Sequence, residues 1–194
     1  MGLKGIGRAA VLGVVLWAPL SGGLAQGVGA RLALCAACHG ADGQSQQQNI
    51  PSLAGQPRVF IENQLVMIRE GMRDIPAMKG TLDGVSDQEL SALAAHFSAL
   101  PLKPATTAPD TALFERGQKL AQEMRCGICH LPDYKGREQM PRLAGQREDY
   151  LLHSMRQFRN NEAVGRDTIM AASLYGVSDE DLKAMAHYLA RVVP

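Results

Sequence analysis

Cysteine and histidine fall together twice in this chain, as Cys35-Ala36-Ala37-Cys38-His39 and as Cys126-Gly127-Ile128-Cys129-His130. Both words read C-x-x-C-H, the attachment signature of a c-type haem. On a helix, Cys35, Cys38 and His39 stand at i, i+3 and i+4 and share one face. Two thiols can then form thioethers with the porphyrin vinyls while the histidine ligates the iron. Cys126, Cys129 and His130 repeat the arrangement, and these four are all the cysteines of the chain. Two disulfides, a redox dithiol and a zinc site compete for the same residues. A thioredoxin-like dithiol would need flanking strands, and no stretch here alternates like one. Duplication of the whole five-residue word favours one metal site in each half.

The upper axial position needs a ligand too. A methionine thioether is the expected partner in an electron carrier, because it favours ferrous iron and raises the potential. Met78 lies in Ile75-Pro76-Ala77-Met78-Lys79-Gly80, where Pro76 and Gly80 interrupt helix. Met170 lies in Asp167-Thr168-Ile169-Met170. Both precede a serine, Ser86 and Ser178, by eight residues, and that symmetry separates them from the other methionines. Met72, Met124 and Met140 lack counterparts, and Met67, Met155 and Met185 fall in helical patterns as core residues. His96, His153 and His187 are unpaired between the halves and are read as ordinary histidines.

The elements that must position these groups are helical. Ile61, Leu65 and Ile68 in one half, and Leu151, Met155 and Phe158 in the other, recur at i, i+4 and i+7. Ser86-x-x-Glu89 is a capping box, and Ser178-x-x-Asp181 is its acidic variant. Behind them run Leu90, Leu93, Ala94, Phe97 and Leu182, Met185, Ala186, Leu189 at helical spacing. The chain is therefore read as all-α and duplicated. Pro51-Ser52-Leu53-Ala54-Gly55-Gln56 returns as Pro141-Arg142-Leu143-Ala144-Gly145-Gln146, and Arg73-Asp74 returns as Arg166-Asp167. The halves are residues 26–100 and 110–194, joined by a linker, 101–109, with three prolines. Aromatics make up only 5% of the chain, so each small core would be marginal without the apolar bulk of a haem.

Residues 1–25 read as a secretory signal, with Lys4 and Arg8 ahead of the apolar run Ala9–Leu20 and small residues at Gly23 and Ala25. The run is shorter than the ~20 residues of a transmembrane helix. Export suits a haem attached outside the cytoplasm. Cleavage after Ala25 would leave 169 of the 194 residues, with 18 basic and 19 acidic side chains, a balance that does not point to nucleic acid.

On the paired C-x-x-C-H words, the paired P-x-L-A-G-Q segments and the paired methionines, the sequence resembles the diheme cytochrome c4 family. The resemblance covers essentially the whole mature chain. It implies two tandem class I cytochrome c domains, each wrapped around one covalently bound haem c, related by a pseudo-twofold axis with the propionate edges facing one another. It implies a periplasmic shuttle of electrons from a quinol-oxidising complex towards a terminal oxidase, loosely attached to the membrane in some members. It also implies that the carbonyls of Pro51 and Pro141, 12 and 11 residues after their histidines, accept the imidazole N–H; a loop proline before a turn is the blander reading. Two departures are visible. Only nine residues would precede Cys35 after cleavage, so a truncated first helix and a more exposed first haem are expected. The segment between His130 and Pro141 lacks the long insertion common in the family. Neighbouring readings are the electron-accepting cytochrome subunit of a flavocytochrome-like dehydrogenase and a catalytic diheme enzyme. The matched methionines argue for a carrier without catalysis of its own.

Overall fold

The computed structural model describes residues 1–2, 22–103 and 105–193. The first half holds helices α1 (Gly22–His39), α2 (Arg58–Arg69) and α3 (Asp87–Ala99), with a single 3-10 turn at Pro76–Met78. The second holds α4 (Thr111–Glu123), α5 (Gly127–His130), α6 (Glu148–Arg159), α7 (Thr168–Leu174) and α8 (Asp179–Arg191). Among the described residues the only β pairing is an isolated bridge between Arg137 and Met140. No described helix is long and apolar enough to cross a membrane. Most of the stretch read as a signal, residues 3–21, lies outside the described residues.

Local chemistry sets the helix ends. Ser86 caps α3 through a complete capping box with Glu89, and Ser178 caps α8 by accepting from the Asp181 N–H. Asp110 caps α4 in the same way, through Leu113. In the second half α4 packs closely on α8, because Gly117 brings the backbones together. A Cβ there would fall on the Ala184 carbonyl. Phe114 and Tyr134 both meet Tyr188 edge-on, with centroids 5.0 and 5.8 Å apart, over a core of Leu151, Met155, Leu182, Met185 and Leu189.

The first half departs from this plan. In the second half Arg125, at φ +58°, breaks the chain between α4 and α5. The Ala- and Leu-rich segment before His39 has no such break, and α1 continues straight through the cysteine pair. From Gln26 onward α1 supplies nine residues ahead of Cys35, and it touches α3 only lightly. An open apolar groove of about 240 Å³, lined by residues including Leu32, Ala36 and Phe97, lies between them. Two small clusters, one around Ile61, Ala94 and Phe97 and one around Leu82, Val85 and Leu90, replace the single larger core.

Candidate cofactor sites

Each cysteine pair sits where a helix ends beside a hydrophobic core. Cys35 packs against the Ile61–Phe97 cluster and Cys126 against the core of the second half, while Cys38 and Cys129 are exposed. Burial pushes the Cys35 and Cys126 thiols up from the ordinary cysteine value. A reactive dithiol would instead need a depressed pKa. All four thiols are free of disulfides, and among the described residues no three His, Cys, Asp or Glu side chains converge to hold a metal ion.

The histidines are prepared in a different way. His39 Nδ1 donates to the Pro51 carbonyl and His130 Nδ1 to the Pro141 carbonyl, each at 2.9 Å. Burial lowers both pKa values, partly offset by the proline carbonyls, so the rings are held neutral. With its proton on Nδ1, each ring keeps an unshared pair on Nε2. His130 is 3% exposed, and its Nε2 is buried with no hydrogen-bond partner. A buried nitrogen lone pair without a donor is costly in a protein interior unless something ligates to it. These residues therefore fit an iron beside the ring, and the proline bond fixes the ring's orientation.

The methionines lie on different elements. Met78 ends the 3-10 turn, and its carbonyl accepts from the Thr81 N–H at 3.0 Å and from Thr81 Oγ1 at 2.6 Å. The Thr81 carbonyl accepts in turn from Arg31 Nη1 of α1 at 2.7 Å, tying this loop to the cysteine-bearing helix. Met170 lies inside α7, which Asp167 caps, and not in a loop ahead of a helix; it is half-buried against the second core. Of the rivals, Met155 and Met185 are core residues and Met72 is exposed. His96 is exposed. His187 is buried, facing Glu148 through Nδ1 and accepting from the Asp110 N–H through Nε2, so it is already satisfied.

The repeated P-x-L-A-G-Q word builds more than the proline contact. The N–H groups of Leu53 and Ala54 converge on the Gly43 carbonyl, and those of Leu143 and Ala144 on the Tyr134 carbonyl. Gly55 and Gly145, both at positive φ, donate to the ends of α3 and α8 at Phe97 and Leu189. The glutamines then cross between the halves. Gln146 accepts from the Ser52 N–H and donates to the Ser52 carbonyl, both at 2.9 Å. Gln56 does the same for Arg142, at 2.9 and 3.0 Å. Residue i of one half meets j of the other while j meets i, which is the mark of a twofold interface. The interface therefore forms with the short segment between His130 and Pro141. Sequence reasoning missed these glutamines and Arg142. The signal was the sixth letter of the repeated word, a glutamine kept in both halves.

Arg142 breaks the symmetry, since serine holds its place in the first half. It is 3% exposed, and its guanidinium donates to the Ala54 carbonyl at 2.7 Å and to the Ala144 carbonyl. These are equivalent atoms of the two halves, so one cation lies close to the pseudo-twofold axis. Burial lowers its pKa to about 10.

The family models agree with this architecture: cytochrome c matches residues 114–192, and cytochrome C oxidase, cbb3-type, subunit III matches residues 24–97. Cytochrome c4 of Azotobacter vinelandii is 35% identical, over 92% of this chain and 93% of its own. A thiosulfate dehydrogenase electron acceptor of Stutzerimonas stutzeri is 33% identical, over 81% of this chain and 78% of its own. The crystal structure of reduced recombinant cytochrome c4 from Pseudomonas stutzeri superposes with a TM-score of 0.78 at 32% identity, covering 87% of this chain and 98% of that one. Two cytochrome c domains, each with its C-x-x-C-H cysteines, take two haem c groups in all, and the chain belongs to the cytochrome c4 family.

Proposed function

We propose that this protein carries single electrons between redox partners outside the cytoplasm, from a quinol-oxidising complex towards a terminal oxidase, and that it catalyses no reaction of its own. In this reading residues 26–100 and 110–194 are the two haem domains, and residues 1–25 are removed on export. Loose attachment to the membrane surface is compatible with it. Cys35 and Cys38, and Cys126 and Cys129, hold the haems through thioethers. His39 with Met78, and His130 with Met170, ligate the two irons, while Pro51 and Pro141 steady the histidines. When bound, the haem supplies ferric/ferrous chemistry. The chain's own part is to keep both axial positions filled, exclude water and hold the two sites in fixed register.

The observation that carries this reading is the twice-built histidine: neutral, anchored through Nδ1 to a proline carbonyl, with Nε2 of His130 buried and unpartnered. The test is an optical spectrum of the exported protein in both oxidation states, with haem counted per chain. Two haems and a weak sulfur–iron band near ~700 nm in the oxidised form support it. A high-spin fraction that binds carbon monoxide would mean an open iron and would sink the carrier reading. The relationship to a thiosulfate dehydrogenase electron acceptor favours a second reading, in which the electrons arrive from a dedicated dehydrogenase. Faster reduction by such a dehydrogenase than by a quinol-oxidising complex would decide for it.

A further inference from the structure

The two halves fill the outer groove between their paired helices differently. In the second half Arg156 of α6 reaches across to α8 and donates twice to the Asp179 carboxylate, from Nε to Oδ1 at 2.8 Å and from Nη2 to Oδ2. A planar fork on a carboxylate is a strong and directional form of this bond. Arg159 donates to the Val177 carbonyl at 3.3 Å and stands 3.4 Å from Asp179, and Lys183 adds a third cation at 3.5 Å. The first half keeps only part of this. Arg69 holds the place of Arg159, and Asp87 that of Asp179. Arg69 Nη1 donates to the Val85 carbonyl at 2.9 Å, and its Nη2 lies 2.8 Å from Asp87 Oδ1. The other two cations are missing: Val66 stands where Arg156 does, and Ser91 where Lys183 does.

The exchange leaves an open groove of about 400 Å³ between α2 and α3. Val59, Val66 and Leu90 give it apolar walls, and Glu62, Arg69 and Asp87 give it charged ones. Leu90 is wholly buried at its base, while the Asp87 side chain is 81% exposed at its rim. Among the described residues nothing donates to Asp87 Oδ2. Arg58, the other cation on this face, turns to Ser91 Oγ at 2.7 Å and stands 3.9 Å from Glu62. A long aliphatic stem could therefore lie along the valines and Leu90 while its charged head meets a carboxylate. We propose that this groove accepts an arginine side chain of a docking protein partner, whose guanidinium takes on Asp87 the place that Arg156 takes on Asp179. The second half fills its groove with a planar fork, so arginine is preferred here over the point charge of lysine. No residue lining the groove lies on α1 or in the Met78 turn, so the contact is separate from the candidate haem site and goes beyond the carrier reading.

The test is a titration of the isotope-labelled holoprotein, in its reduced form, with N-acetyl-arginine methylamide, followed through the backbone amide signals. The lysine and citrulline counterparts are titrated beside it. The arginine compound is expected to give saturable shifts around Val66 and Asp87, with a dissociation constant on the order of 1 mM. The lysine compound should bind about fivefold more weakly or worse, and citrulline, which has the shape without the charge, should not saturate. Val66→Arg supplies the missing side chain within the chain itself and should abolish the shifts while raising the urea midpoint. Asp87→Asn changes an exposed side chain, so it keeps the fold and should weaken the arginine compound by about fivefold or more. Equal binding of the arginine and lysine compounds would mean a general attraction for cations and would overturn the proposal. So would the absence of saturable shifts in the unaltered protein, or arginine binding that persists unchanged in Asp87→Asn.

Discussion

Replacing Gln146 by alanine removes one of the two side chains that join the halves. It orphans the Ser52 N–H and the Ser52 carbonyl, each bonded at 2.9 Å in a residue only 3% exposed, and it also removes the acceptor of the part-buried Arg147 N–H within the second half. A buried backbone group left without a partner costs about 1–3 kcal/mol. Water entering a loosened interface recovers part of that, so about 2–4 kcal/mol of interdomain stability should be lost. For a chain of this size roughly 2–4 °C of Tm follows each kcal/mol, which makes the shift roughly 4–16 °C. The lost bonds run between the halves, so calorimetry of the haem-loaded protein should show a lower and broader transition that resolves into two. Small-angle scattering should show a larger radius of gyration. Gln146→Glu keeps the acceptor for the Ser52 N–H but buries a carboxylate against the Ser52 carbonyl, so it should cost at least as much as the alanine change at neutral pH and recover as the carboxyl takes up a proton. Gln56→Ala orphans the same two groups on Arg142 and should cost about the same as Gln146→Ala. Unchanged melting and an unchanged radius in both alanine variants would refute the claim that these amides hold the interface.

Three further outcomes are expected. Gly117→Ala should destabilise the second half by more than about 3 kcal/mol in denaturant unfolding, because its Cβ meets the rigid Ala184 carbonyl; Gly27→Ala, which meets only the movable Glu89 carboxylate, should be tolerated. Asp179 receives hydrogen bonds from Arg156, with Arg159 and Lys183 close by, and Arg156 above all holds its carboxyl below the usual carboxylate range. A depressed folded pKa gives stability that is present above the unfolded value of about 3.9 and lost as pH falls through the folded value. Asp179→Asn should therefore flatten the acid side of the stability–pH curve and be judged by urea midpoints along that limb. Met78→Ala and Met170→Ala should each remove about half of the sulfur–iron absorbance near ~700 nm and let one haem per chain bind carbon monoxide; an unchanged band in either variant would mean another ligand at that site.

The sequence disclosed those features that depend on short spacing. The i, i+3, i+4 placing of cysteines and histidine, the capping serines and the apolar faces of α2, α3, α6 and α8 are all local. The turns after the cysteine words were half legible. Gly40 and Gly43 show their left-handed backbone openly, but Leu131 and Tyr134 take the same conformation in the second half with nothing in their chemistry to announce it. The break at Arg125 was hidden for the same reason, and with it the different course of α1. Gln56 and Gln146 read as polar residues at the end of a loop. Their partners lie 86 and 94 residues away in the chain, and only the assembled interface shows that a side-chain amide, with one donor and one acceptor, matches a buried peptide group.

The paired carbonyls of Ala54 and Ala144 leave room for only one arginine between them. Arg142 reaches the Ala54 and Ala144 carbonyls together, and its Nε is buried without a partner, so the site is already a strained home for one charge. Ser52 holds the equivalent place, and an arginine there would aim at the same two carbonyls from the opposite side. Ser52→Arg alone should therefore bury a second guanidinium beside the first with no acceptor left. An uncompensated buried charge costs about 3–5 kcal/mol. Arg142→Ser alone removes the donors from two carbonyls and should cost less, on the order of 1–3 kcal/mol for each one that water does not reach. The exchange Ser52→Arg with Arg142→Ser restores one cation to the same pair of carbonyls and leaves the backbone partners of both glutamines in place. It should be markedly more stable than Ser52→Arg alone, with a coupling energy above about 2 kcal/mol in a double-mutant cycle. Simple additivity in that cycle would mean that the two positions do not share one site and that the axis does not run where the carbonyls place it.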